Sequence, residues 1–244
     1  MRWLVLALLV ACHEPHQAPP APAAVPVGPV ARAVVDAASP ADAGVADAGV
    51  QIVDVPMAWS AERERLTLDY RRKHSDPDAK DLAITPHVIV LHYTDGTSAK
   101  ATRAYFDNVK IEVARKELAR AGAVNVSAHF LVDRDGTIYR LQPETRYARH
   151  CIGLNHVAIG IENVGGETHP LTDAQVAADA ALVRDLAARF PITHLLGHYE
   201  VMKFRADPLY VEREAGYQND KPDPGAAFMT RVRERVADLA LKGL

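Results

Sequence analysis

The sequence is poor in the features that would place it quickly. Its 244 residues hold only two cysteines, Cys12 and Cys151, so no disulfide framework staples the fold. No run of 18 or more apolar residues occurs, which excludes a bilayer-spanning helix in the sequence pattern. The formal net charge of −3 leaves no electrostatic footprint for nucleic acid, and none is expected as a partner. No internal repeat is visible between Gln51 and Leu244. What is present in quantity is aliphatic residue and histidine: 48% of the chain is hydrophobic, enough for a proper core, and there are 11 histidines.

The first twelve residues read as an address. Met1-Arg2-Trp3 is followed by the aliphatic stretch Leu4 to Val10 and then Ala11-Cys12, the layout of an export signal over residues 1–11. Leu9-Val10-Ala11-Cys12 looks like a bacterial lipobox, so Cys12 is the expected lipidation site, anchoring the chain to a membrane. With His13 and no aspartate after the cysteine, the pattern resembles outer-membrane sorting, giving a cell-envelope location facing the periplasm. Residues 12–50 are rich in Ala and Pro and bury too little large apolar surface to fold, so they are expected to form an extended tether.

Composition changes near Gln51, and residues 51–244 read as one folded domain. Runs at 87–93, 128–132, 137–141, 157–162 and 193–198 have the β-branched and aliphatic character of buried strands. Asp135-Gly136 between the second and third predicts a hairpin. Thr172-Asp173-Ala174-Gln175 is a capping box, opening a helix that Pro191 stops. Ile111 to Ala121 and Phe228 to Leu239 carry the period of two further helices. The fold class expected is α/β, a central mixed sheet flanked by helices.

Three pieces of sequence carry candidate chemistry: His92 at the end of one strand, His198 at the end of another, and Asp223 in Lys221-Pro222-Asp223-Pro224-Gly225. Two imidazoles and a carboxylate are a three-ligand set for zinc with a fourth position for water. A histidine at a strand end more often serves a hydrogen bond, however, and the wide separation of these residues does not decide between the two.

Five segments in order do bear on it: Val88 to Thr94, Ser127 to Tyr139, Asn155 to Asn163, Gly197-His198, and Lys221 to Gly225. Together they resemble the zinc N-acetylmuramoyl-L-alanine amidase family, whose fold is shared with peptidoglycan recognition proteins. The resemblance covers roughly residues 87–228. It departs from the family in a long stretch between His198 and Asp223 and an extra segment around Trp59 to Tyr70. It implies one zinc ion held by His92, His198 and Asp223, with Glu162 as the catalytic acid/base and Lys221 beside the developing oxyanion. It implies peptidoglycan or muropeptides as partner and cleavage of the amide between N-acetylmuramic acid and L-alanine. His129, His150 and Asn155, in or beside the matching segments, are candidates for binding substrate.

Two alternatives belong to other classes. A module of this fold that binds peptidoglycan without cutting it would lack part of the ligand and acid set. A cysteine hydrolase would use Cys151 with His150, but neighbours in an extended segment point to opposite faces. Glu200, two residues beyond His198, reads first as a surface acid, with a spare ligand or a residue supporting the ligands as alternatives.

Overall fold

In the computed structural model, residues 50–244 are described. The expected signal segment, Cys12 and the expected tether through residue 49 lie outside them. No helix among the described residues is long and apolar enough to cross a membrane.

The buried runs of Val, Ile and Leu form a six-stranded sheet: β1 (Ile52–Asp54), β2 (Val88–Tyr93), β3 (Phe130–Val132), β4 (Ile138–Arg140), β5 (Ala158–Asn163) and β6 (His194–Gly197). Their order across the sheet is β1-β4-β3-β5-β2-β6. Only β3 and β4 pair antiparallel, as the Asp135-Gly136 hairpin requires; every other pairing is parallel. Gly136 takes φ +89°, a left-handed conformation that a Cβ would strain, and its N–H closes the turn on the Asp133 carbonyl at 2.9 Å.

Five helices accompany the sheet: α1 (Ala61–His74), α2 (Ala99–Asp107), α3 (Lys116–Ala121), α4 (Asp173–Arg189) and α5 (Ala226–Arg235). Alternation along β2 sends Ile89 and Leu91 to one face, where they meet Phe130, Val132, Ile159 and Ile161 from neighbouring strands. Val176, Leu182, Val183 and Leu186 of α4 and Phe228, Met229 and Val232 of α5 cover that face. The capping box at the start of α4 is formed: Thr172 Oγ1 accepts from Gln175 N–H, and Gln175 Oε1 accepts from Thr172 N–H. Gln175 also donates to the Val132 and Val164 carbonyls, fixing the helix start against the ends of β3 and β5.

On the opposite side, Val88 and Val90 pack with Ala158, Leu196 and Phe204, while Leu131 and Leu141 meet Ala99 and Phe106 of α2. The structure corrects the reading of 111–121, where only α3 is helical. Ile111 N–H donates to the Ala123 carbonyl and Lys110 bridges Val124, so the backbone before α3 is engaged across the chain and cannot join a helix.

Candidate active site

β5, β2 and β6 run parallel, so their carboxyl ends share one edge of the sheet, where open α/β sheets place their crevices. His92 lies directly across the ladder from Glu162, and Leu91 across from Gly197, so His198 follows one step beyond. Asp223 enters from the loop before α5. Its carbonyl accepts from Tyr199 N–H at 2.9 Å, tying that loop to the turn after β6.

The three side chains converge. His92 Nδ1 and His198 Nδ1 are 3.0 Å apart, and Asp223 Oδ2 is 3.2 Å from each. All three residues are buried, and among the described residues they are the group able to hold a metal ion. Donors about 2.0–2.1 Å from a tetrahedral ion stand roughly 3.3 Å from one another, so type and spacing both suit zinc. Electrostatics agree. Burial pushes the His92 pKa down to about 4 against the pull of Asp223. Burial opposes ionisation of Asp223 as well, but its contacts with the His198 and His92 rings outweigh it and hold the carboxyl well below its usual range. A charged carboxylate beside a neutral His92 imidazole is the protonation a cation requires.

These residues open into a cleft of about 760 Å³ that Glu162 and Lys221 also line. Glu162 is half-buried, and its Oε2 is sealed without a hydrogen bond. Burial first, and the Asp223 charge second, raise its pKa well above the ordinary value, with Lys221 and Arg115 in partial opposition. A carboxyl so raised holds a proton more readily than an exposed one, which suits a group that takes up and returns protons. Lys221 brings a positive charge to the same wall.

The residues expected to bind substrate separate. His129 is fully buried beside His150, ring centroids 5.8 Å apart, and does not itself line the cleft. Its Nδ1 accepts from Gly160 N–H and its Nε2 donates to the Arg146 carbonyl, so both ring nitrogens serve the backbone. His150 and Asn155 do line the cleft. Asn155 Oδ1 accepts from the N–H groups of His150 and Cys151, each at 2.8 Å, and so shapes the loop from within. Glu200 is neither a surface acid nor a ligand. The chain turns in a short 3₁₀ segment at 198–200, and Glu200 is buried against Arg233 at 2.6 Å. Cys151 is buried, and burial holds its thiol well above the ordinary range, which disfavours a nucleophile.

Sequence reasoning missed the far wall of the cleft. Tyr105 of α2 donates to Glu112 and accepts from Arg115, and Tyr70 of α1 meets Tyr217 of the 199–222 stretch at 3.3 Å. None carries a motif; the departures from the family pattern around Trp59–Tyr70 and between His198 and Asp223 include Tyr70 and Tyr217, and nothing in the sequence marked Tyr105, Glu112 or Arg115.

This sheet with a buried His-His-Asp set at its carboxyl edge is the architecture of an amidase fold. The family model for N-acetylmuramoyl-L-alanine amidase (Amidase_2) matches residues 82–226, and the chain belongs to that family. It is 33% identical over 130 residues to the 1,6-anhydro-N-acetylmuramyl-L-alanine amidase AmpD of Salmonella typhimurium, covering 49% of this chain and 62% of that protein. To the endolysin of Escherichia phage T7 it is 31% identical over 100 residues, covering 38% of this chain and 66% of the endolysin. The chain thus spans less than two thirds of the length of either relative. The solved N-acetylmuramoyl-L-alanine amidase LysCS of Clostridium intestinale superposes with a TM-score of 0.50 at 23% identity, over 81% of this chain and 100% of that one, a likeness of fold.

Proposed function

We propose that this chain hydrolyses the amide between N-acetylmuramic acid and the L-alanine of the stem peptide in peptidoglycan or its fragments. The observation that carries the reading is the convergence of His92, His198 and Asp223 beside Glu162 and Lys221 in one cleft. Family membership supplies the bond class. His92, His198 and Asp223 would hold a zinc ion, which when bound acts as a Lewis acid and makes a water molecule acidic near pH 7.

The remaining work falls to the chain itself. Glu162, with its raised pKa, takes the proton of the attacking water and returns it to the leaving amine of L-alanine. Lys221 presents positive charge to the oxyanion that develops on the scissile carbonyl. The cleft walls orient the glycan and the peptide on either side of the bond. Anchoring in the cell envelope through Cys12 completes the proposal and rests on residues 1–12 alone.

The direct test is mass spectrometry of purified muropeptides digested with the protein, with zinc present and after chelation. Release of a peptide beginning with L-alanine and an intact disaccharide, reversibly lost on chelation and absent in His198→Ala, is the expected result. Zinc-loaded protein that cleaves no muropeptide would favour a module that binds without cutting.

A further inference from the structure

Resting on the metal site just proposed, we infer that His150 is a positioning residue that fixes the tautomer and ring plane of His92. The donor atom His92 turns toward the other two is Nδ1, and its far nitrogen, Nε2, lies 3.0 Å from His150 Nδ1. His150 in turn places Nε2 3.3 Å from the Ala158 carbonyl. A carbonyl oxygen only accepts, and this gives the chain of contacts a single direction. His150 must carry its proton on Nε2 to donate to Ala158. Its Nδ1 then offers a lone pair, which only a proton on His92 Nε2 can satisfy. That proton leaves His92 Nδ1 bare, aimed at His198 and Asp223, in the form a cation binds.

The surroundings hold His150 in this role. Its backbone N–H is fastened to Asn155 Oδ1 at 2.8 Å. Its ring stands perpendicular to that of His92, at 89° with centroids 5.2 Å apart. It lies flat over Gly160, where a Cβ would come within 2.6 Å of the ring, so the glycine of β5 makes room for it. His198 has no equivalent: its Nε2 is buried without a hydrogen bond. One histidine of the pair is therefore held through its far nitrogen before any cation arrives, and the other lacks that support.

The test compares zinc affinity, by chelator competition on the full chain, in wild type, His150→Phe and His150→Asn. Phenylalanine keeps a ring but removes the acceptor; asparagine returns a carbonyl oxygen near the place of Nδ1. We expect affinity to fall about 10–100-fold in His150→Phe and to recover most of the loss in His150→Asn. Long-range ¹H–¹⁵N spectra of the metal-free wild type should show His92 protonated at Nε2, and this measurement stands even if a variant fails to fold. Wild-type affinity in His150→Phe, or a metal-free His92 protonated at Nδ1, would overturn the inference while leaving the amidase reading intact. Failure of the wild-type chain to bind zinc at all would overturn both.

Discussion

The two sides of the sheet are covered by different chemistry. On one, α4 and α5 lay Leu182, Leu186, Phe228 and Met229 against strand residues in a continuous apolar layer. On the cleft side, buried polar groups do much of the holding. Arg63 of α1 donates to the Phe106 and Asn108 carbonyls, both at 2.6 Å. Arg149 reaches the carbonyls of Leu118, Gly122 and Val124, and the Tyr217 hydroxyl. His129 bonds the backbone through both nitrogens. Apolar contact is non-directional and tolerates small shifts, whereas hydrogen bonds fix position and are costly when one partner is lost. Directional bonds of this kind fix the geometry on the cleft side in addition to the apolar packing there.

Changes to the two sides should accordingly separate activity from stability. The largest effect belongs to Glu162→Gln: turnover of muropeptide should fall about 10²–10⁴-fold with little loss of thermal stability, read by product assay and thermal melt together. Next comes Leu186→Ala, which should cost about 2–5 kcal/mol in denaturant unfolding while kcat of the folded fraction stays near wild type. A comparable loss of kcat there would show that the two sides are not separable.

The helical layer was also the part legible in sequence. Val176, Ala180 and Val183 repeat with helical period behind a capping box, and the strands announced themselves as β-branched runs. α1 was hidden because its buried stripe is Arg63, Thr67, Tyr70 and His74, polar residues that burial rules assign to the surface until their carbonyl partners are seen. α2 buries only Ala99 and Phe106, too few for a period to show. At the site, the candidate ligand and acid residues were marked by motif, and the structure brings them together in one cleft. The partners of the second imidazole nitrogens could not be read that way, since the contacts that distinguish His129 from His150 are made by backbone groups far away in the chain.

A subtler expectation tests whether the apolar layer is wholly apolar. Asp179 of α4 is buried, bonded to Asn163 Nδ2 at 2.9 Å, and burial raises its pKa to about 7. The folded state keeps this proton to about pH 7, whereas an unfolded aspartate loses it near pH 4. Stability from this group is thus full at low pH and declines as pH rises from about 4 to 7. Asp179→Asn should stabilise the protein at pH 8 by on the order of 2 kcal/mol and do little at pH 4.5, as paired melts would show. Smallest is Thr172→Ala, which removes the α4 cap and should cost about 1 kcal/mol without altering activity.

The three donor atoms come from residues 106 and 131 positions apart in the chain, counting from His92 to His198 and to Asp223. Bringing together residues this remote costs loop-closure entropy that an ion bound to the unfolded chain would have to offset. A metal at this centre is therefore a guest of the finished architecture and not a seed for it. The apoprotein should reach its native topology unaided, and loading should raise the melting temperature with free-ion concentration, as mass action dictates.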